Sequence, residues 1–297
     1  MISASRTNPG NPPTKPPDRP TESPKNPCSS MVCDHGPPIK KAVILIADIL
    51  LIPLLCLNKY MALDLYSGPL TRYFCGTWEN IMARAFREQG RAYQLIHPSG
   101  EPPPEPIEPT VVENHIALWT NALSGSLGAH LSSPLSWQDD LSQPYDTDRP
   151  HWQGYCALLL TAAHADFPTL ALPSITPERW DDHPTYVAAI SKDAKSRFTQ
   201  ILLPELWLPS DFQFAFQAPG PASEEPIWIG AVATLLLQLN TLNDTVFHGS
   251  SEDLARWSFD GPPPDNNLLG CARFGFAIFH RMATFSRDHS LPLKLDY

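Results

Sequence analysis

The sequence predicts an α+β fold, mostly helical, with a small mixed or antiparallel sheet that includes a hairpin near 211–229. Three observations carry this. Segments with helical apolar spacing outnumber segments with strand spacing by about two to one. The strands are short and mostly separated by helices, which argues against a doubly wound parallel sheet. Phe212, Phe214 and Phe216 alternate with Gln213, Ala215 and Gln217, then a GPASEE loop leads to Ile227–Ile229, as in a hairpin.

Taken in order, residues 62–66 (ALDLY) alternate and read as a strand, and Ser67-Gly68-Pro69 turns the chain. Thr77 has the chemistry of an N-cap, with Trp78, Ile81, Met82, Ala85 and Phe86 on one helical face behind it. Residues 98–109 (PSGEPPPEPIEP) form a proline-acid loop and a candidate boundary. A helix is expected over 110–131, with Val112, Leu118, Trp119, Leu123 and Leu127 in the core and Gly125 and Gly128 weakening its end. Residues 132–150 read as loop. Helices follow at 151–167, burying Trp152, Tyr155, Cys156 and Leu159, and at 185–203, with Tyr186, Ile190, Ala194, Phe198 and Ile201 in a stripe. After the hairpin come a helix at 230–247, buried through Val232, Leu235, Leu236, Leu239 and Leu242, and another at 268–287, presenting Leu269, Ala272, Phe276, Phe279 and Ala283. The chain closes on LPLKLDY, a second alternating strand, which is expected to share a sheet with residues 62–66 and tie the ends together.

The first sixty residues differ in kind. Residues 1–41 are a proline-rich tail: ten prolines in the first forty positions remove backbone donors, and few apolar groups offset ordering entropy. Its PxxP-like spacing suits SH3-type grooves but arises in any proline-rich segment. Residues 42–57 (AVILIADILLIPLLCL) are apolar. They fit three readings: a membrane anchor, a buried helix, or part of an upstream extension ahead of a working start at Met61. Sixteen residues in a helix span about 24 Å, short of a roughly 30 Å hydrocarbon core, and Asp48 and Pro53 interrupt them. Residues 61–297 are expected to form a single α+β domain.

Residues 61–297 carry 14 Lys and Arg against 27 Asp and Glu. So acidic a body repels phosphate backbones, and no nucleic-acid partner is expected. Six cysteines are scattered through the chain, one of them inside the apolar run. This is not the density of a secreted disulfide scaffold, so reduced thiols and a cytoplasmic location are expected, or a membrane-anchored one if 42–57 inserts.

No dinucleotide, Walker, nucleophile-elbow, zinc-protease or paired C-x-x-C signature is present, so no cofactor and no metal are assigned and catalytic residues stay unknown. The most site-like group is Asp64, Tyr66, Arg72, Tyr73 and Trp78, which joins a strand, a turn and a helix start. Arg72 offers a planar fork to a carboxylate or phosphate, flanked by aromatic faces. The plainer alternative is an Asp64–Arg72 ion pair that fixes the turn. Trp137-Gln138-Asp139-Asp140 and Trp180-Asp181-Asp182-His183 pair carboxylates after a tryptophan, but one Asp-Asp pair supplies too few oxygens for a metal. Asp181 and Asp182 also suit a helix start.

The opening MALDLYSGPLTRYFCGTWEN, the internal WQGYCALLLTAAH, LWLPSDFQFAFQAPGP and IGAVATLLLQLNTLN, and the closing LPLKLDY resemble an uncharacterised family of bacterial proteins over residues 61–297. The resemblance implies no activity and transfers no site residue. The acidic, tryptophan-rich body without a catalytic set is expected to be a non-catalytic binding or accessory protein of immunity type with a protein partner. The alternatives are a hydrolase using Asp64, Asp139, Asp140, Asp181 or Asp182, and a single-pass membrane-anchored protein.

Overall fold

The computed structural model describes residues 63–93, 107–168, 170–191 and 193–297. The proline-rich 1–41, the apolar 42–57, Met61 and most of the 98–109 loop lie outside these residues. The helices are α1 (Leu70–Phe74), α2 (Ile81–Glu88), α3 (Pro109–Leu127), α4 (His151–Asp166), α5 (Pro184–Ile190), α6 (Thr199–Leu202), α7 (Val232–Leu242), α8 (Ser251–Asp260) and α9 (Leu268–His289). The strands are β1 (Asp64–Ser67), β2 (Asp146–Asp148), β3 (Leu206–Leu208), β4 (Phe216–Gly220), β5 (Ser223–Ala231) and β6 (Leu293–Asp296). They form one mixed sheet in the order β2-β1-β6-β3-β5-β4, with β3 and β5 parallel and the other pairs antiparallel. The fold is thus α+β, as the alternating segments indicate. The two alternating ends meet: Leu65 lies opposite Leu295, and Ser67 opposite Leu293.

The pleat divides the interior in two, because successive side chains leave a strand on opposite faces. Leu65, Trp207, Leu293 and Leu295 point to one side, where they join α4, α5, α6, α7 and α9. Leu206, Leu208, Ile229 and Ala231 point to the other, under α1 and α3 and the segment around Leu135. On the first side, α4 and α9 meet backbone to backbone. A Cβ on Gly275 would lie 2.6 Å from the Gly154 carbonyl carbon and closer still to its oxygen. Ten consecutive residues of α4, Gly154 to Ala163, are buried as a result.

A polar knot ties four of these elements together. The buried Gln200 accepts from the Ala231 N–H at 2.9 Å and donates to the Phe214 carbonyl at 2.7 Å. Its own N–H donates to the Gln238 side chain at 2.8 Å, and its carbonyl accepts from the Trp207 indole at 2.8 Å. Gly230 leaves room for this: a Cβ there would collide with the Gln200 side-chain oxygen and stand 2.8 Å from Pro204.

The structure corrects several sequence expectations. Asn80, not Thr77, caps α2, accepting from the Ala83 N–H at 2.8 Å, while the Thr77 hydroxyl reaches back to the Arg72 carbonyl at 3.4 Å. The helix expected over 185–203 is two short ones. Between them Asp166 accepts from the Ser196 hydroxyl at 3.0 Å and from the Arg197 N–H at 2.6 Å, which draws the chain out of helical geometry. The strand expected over 212–216 begins only at Phe216, and the three phenylalanines instead cluster, with ring centroids 5.0–5.8 Å apart. The expected hairpin is present with a tighter loop and a longer second strand, running from Phe216 paired with Ile229 out to Gly220 paired with Ser223. α3 stops at Leu127, where Gly128 turns to φ +45°. Leu118 and Leu269, both assigned to the core, are 68% and 42% exposed. The expectations did not include α1, β2, β3 or α8.

Gly275→Ala is expected to lower unfolding stability by about 3 kcal/mol or more, because its new methyl meets backbone that cannot swing aside. Gly125→Ala, where a Cβ would meet nothing within 4 Å, is expected to raise it by about 0.5–1 kcal/mol. Urea denaturation of the two variants beside the parent protein checks both signs.

Candidate functional site

The period of two in β1 and β6 brings part of the predicted group together. Asp64 and Tyr66 share a sheet face with Lys294 and Asp296, in the register Asp64–Asp296 and Tyr66–Lys294. Tyr66, Tyr73 and Trp78 form a mutual aromatic contact, with centroids 5.3, 5.3 and 5.6 Å apart, and Tyr145 stacks on Tyr66 at 6.1 Å. The turn between strand and helix is close-fitting: a Cβ on Gly68 would stand 2.6 Å from the Tyr145 Cβ.

Each polar group here is turned inward. The Tyr66 hydroxyl donates to the Pro69 carbonyl at 2.8 Å, and the Tyr73 hydroxyl donates to Asp296. Burial raises both phenols well above the ordinary value, and the Asp296 carboxylate raises Tyr73 further, so both remain protonated donors. Lys294 lies 5.0 Å from the Tyr73 ring centroid and donates to the Leu295 carbonyl at 3.0 Å. Burial pulls its amine below the usual range, while Asp296 and Glu205 oppose this.

Asp64 and Arg72 do not pair. The Asp64 partner is Arg149, whose Nε and Nη2 donate at 2.9 and 3.1 Å in a bidentate fork. Arg72 instead donates to the Leu141 and Thr77 carbonyls and lies 4.8 Å over the Tyr145 ring. Both places bidden by the sequence, an ion pair at the turn and a free guanidinium fork, are therefore filled differently. Sequence spacing between Asp64 and Arg72 could not show that the DTDRP segment returns as β2 and delivers Arg149.

The carboxylates named for a hydrolase also hold structure. Asp139 caps α1, accepting from the N–H groups of Leu70 and Thr71 at 2.7 and 2.9 Å, from the Thr71 hydroxyl at 2.6 Å and from the Trp137 indole at 2.9 Å. Asp140 closes a turn on Ser142. Asp181 and Asp182 sit in a single 3₁₀ turn before α5, with Asp182 paired to Arg179. On edge strand β2, Asp146 and Asp148 receive Arg281 from α9, and Asp146 also receives Arg84 from α2 at 3.2 Å. Among the described residues no group of three or more His, Cys, Asp and Glu is placed to hold a metal ion. Cys75, Cys156 and Cys271 are buried, and none of them is in a disulfide among the described residues.

A different surface stands out. The 57 residues from Ala92 to Asp148 contain no Lys or Arg and eight Asp or Glu, and the 58 from Phe198 to Ala255 contain none and seven. The rest of 61–297 holds 14 basic and 12 acidic residues, so the excess negative charge resides in those two runs. Parts of both, α3 from the first and β3, β4 and β5 from the second, meet in one layer. There the Trp119 indole donates to the Pro219 carbonyl at 2.9 Å, linking α3 to the hairpin. The outward side of α3 is apolar, with Ile107, Val111 and Leu118 each more than half exposed. Two shallow depressions flank the helix, one between His115 and the hairpin tip at Gly220–Glu224, the other beside Gly125, Gly128 and Pro134. The missing cations were visible in the sequence. Their convergence was not, because α3 and the hairpin are about a hundred residues apart.

No protein-family model matches the chain, and no curated protein or solved structure matches it either.

Arg149→Met is expected to cost about 3–5 kcal/mol by stranding the Asp64 carboxylate in the interior, and Asp64→Leu in the same chain to restore most of that; denaturant midpoints of the single and double variants check it. Burial raises the Asp146 carboxyl, but Arg281 and then Arg84 outweigh burial and hold it below the usual carboxylate range. The stability this contributes is present above the unfolded pKa and lost as pH falls through the folded one. The destabilisation by Asp146→Asn is therefore expected to be full at pH 7 and to shrink below about pH 4, which paired thermal scans between those values measure.

Proposed function

We propose that the protein is a non-catalytic binding or accessory protein of immunity type whose partner is a cationic protein. The observation that supports this reading is the segregation of charge. Within one layer of the molecule, the segments that form α3, β3 and the β4–β5 hairpin carry acidic groups and no Lys or Arg. A surface of one sign attracts and orients a partner of the other and repels phosphate backbones. The hydrolase alternative gains no support from the carboxylates proposed for it, since Asp64, Asp139 and Asp140 are committed to an ion pair, a helix cap and a turn. Residues 42–57, on which the membrane-anchored alternative rests, lie outside the described residues; among those described, no helix is long and apolar enough to cross a membrane.

Capture of the full-length protein's partners from native cells, with cross-linking at low salt, is expected to enrich a protein of basic isoelectric point. Raising salt from about 0.05 to 0.5 M should release it, as screening shortens the reach of exposed charges. Partners that are acidic, or held equally at both salt concentrations, would refute the reading.

A further inference from the structure

Resting on that reading, we propose that the outward face of α3 is the docking surface, and that its occupant is an amphipathic helix of the cationic partner, with one apolar row bordered by Lys and Arg. Ile107 just ahead of the helix, then Val111, Leu118, Ala122 and Gly125, recur at three-, four- and seven-residue spacing and are all exposed. An inward row, Val112, Ile116, Leu123 and Leu127, already satisfies the core. The helix is thus apolar on two opposite sides while, among the described residues, only one is covered. From Val111 to Gly125 the outward row extends about 21 Å, the length of a partner helix of four turns.

The border of the row is acidic. Glu108 is the residue just ahead of α3, and Glu224 and Glu225 stand at the hairpin tip, all without a basic neighbour in the surrounding runs. This charge selects lysine and arginine on the flanks of whatever apolar row packs against Leu118. Ala122 and Gly125 keep the second half of the face low, so a partner backbone can approach at the 8–10 Å of packed helices. Gly125 has no internal reason to be glycine: its φ is not left-handed, and nothing lies within 4 Å of where its Cβ would be. A helix-interior glycine that the fold does not require is accounted for by the approach of another chain.

The test uses the full-length protein and a labelled 18-residue peptide of Leu and Lys patterned for an amphipathic helix, followed by fluorescence anisotropy. The peptide is expected to bind, and its counterpart with Glu in place of Lys is not. Leu118→Ser should weaken binding by roughly tenfold or more, the loss expected when a buried leucine side chain is removed from a contact. Glu224→Gln with Glu225→Gln should lessen the salt dependence. Phe259→Ser, at a 91% exposed aromatic on α8, should leave affinity unchanged. Equal binding by Leu118→Ser, equal binding of the Glu peptide, or an equal loss on Phe259→Ser would overturn the proposal. A dimer that Leu118→Ser dissociates would assign the face to a second copy of this chain and overturn it too. The two readings separate cleanly. A salt-released native partner that Leu118→Ser still retains refutes the docking face alone. A peptide that depends on Leu118, with no salt-released native partner, refutes the cationic-partner reading alone.

Discussion

The contact on which the rest of the architecture depends is the crossing of α4 and α9 at Gly154 and Gly275. Two helices normally keep their axes 8–10 Å apart because side chains stand between them. Here each helix presents a glycine, and the backbones themselves touch. That closeness sinks α4 so deeply that ten of its residues in succession are buried, and a helix buried all round needs no amphipathic stripe. It also fixes where α9 lies. From there α9 places Phe276, Phe279 and Met282 in the main core and reaches the edge of the sheet with Arg281.

Arg281 converts that placement into sheet order. β2 has only three residues, too few to hold an edge position by ladder bonds alone. Its aspartates supply the rest. Asp148 and Asp146 face α9 and accept from Arg281, while Arg149, two residues from Thr147 on the opposite pleat, reaches Asp64 of β1. Guanidinium groups on both faces pin the strand. The aromatic group around Tyr66 then packs against a strand that cannot slip, and the predicted site residues become a brace: buried phenols that donate inward, a lysine lying against a ring, and an aspartate whose two oxygens are both taken.

Much of this was legible where the signal was local. The alternation in ALDLY and LPLKLDY located β1 and β6, and apolar spacing located α7 and α9, because period and burial coincide in those segments; it located α3 and α4 as well, although α4 is buried on every side. The sequence signal failed where a distant group decides. Nothing near Leu70 announces that Asp139 will cap α1, and nothing near Ala194 announces that Asp166 will break the helix there. Arg72 looked like the partner of Asp64 because it is eight residues away, yet the partner comes from 85 residues away. Leu118 was placed in the core on apolar character alone. Ile116 and Thr120, two positions to either side, occupy the inward face instead. For the candidate site the sequence supplied the residue types and the acidity, and the structure showed Asp64 and Tyr66 buried and Arg72, Tyr73 and Trp78 half-buried in internal contacts while the acidity is concentrated elsewhere.

The distribution of arginines links these points. The described half that contains β2, α2 and α9 employs Arg84, Arg149 and Arg281 in ion pairs that define strand position, so its acids are neutralised by construction. The half under α3 needs no such pins. Its sheet contacts are the long β4–β5 ladder, the parallel β3–β5 pair and the Gln200 knot, all made by backbone and neutral amides. Arginine is therefore dispensable there for folding, yet acids accumulate to the exclusion of every Lys and Arg over two long runs. Self-repulsion among like charges opposes the compact state, and within the first run Asp139, Asp146 and Asp148 offset it by capping α1 and accepting from Arg281. The same half exposes Leu118 to solvent and holds a helix-interior glycine with no packing reason. These local departures from what folding favours coincide on one face, that of α3 and the hairpin.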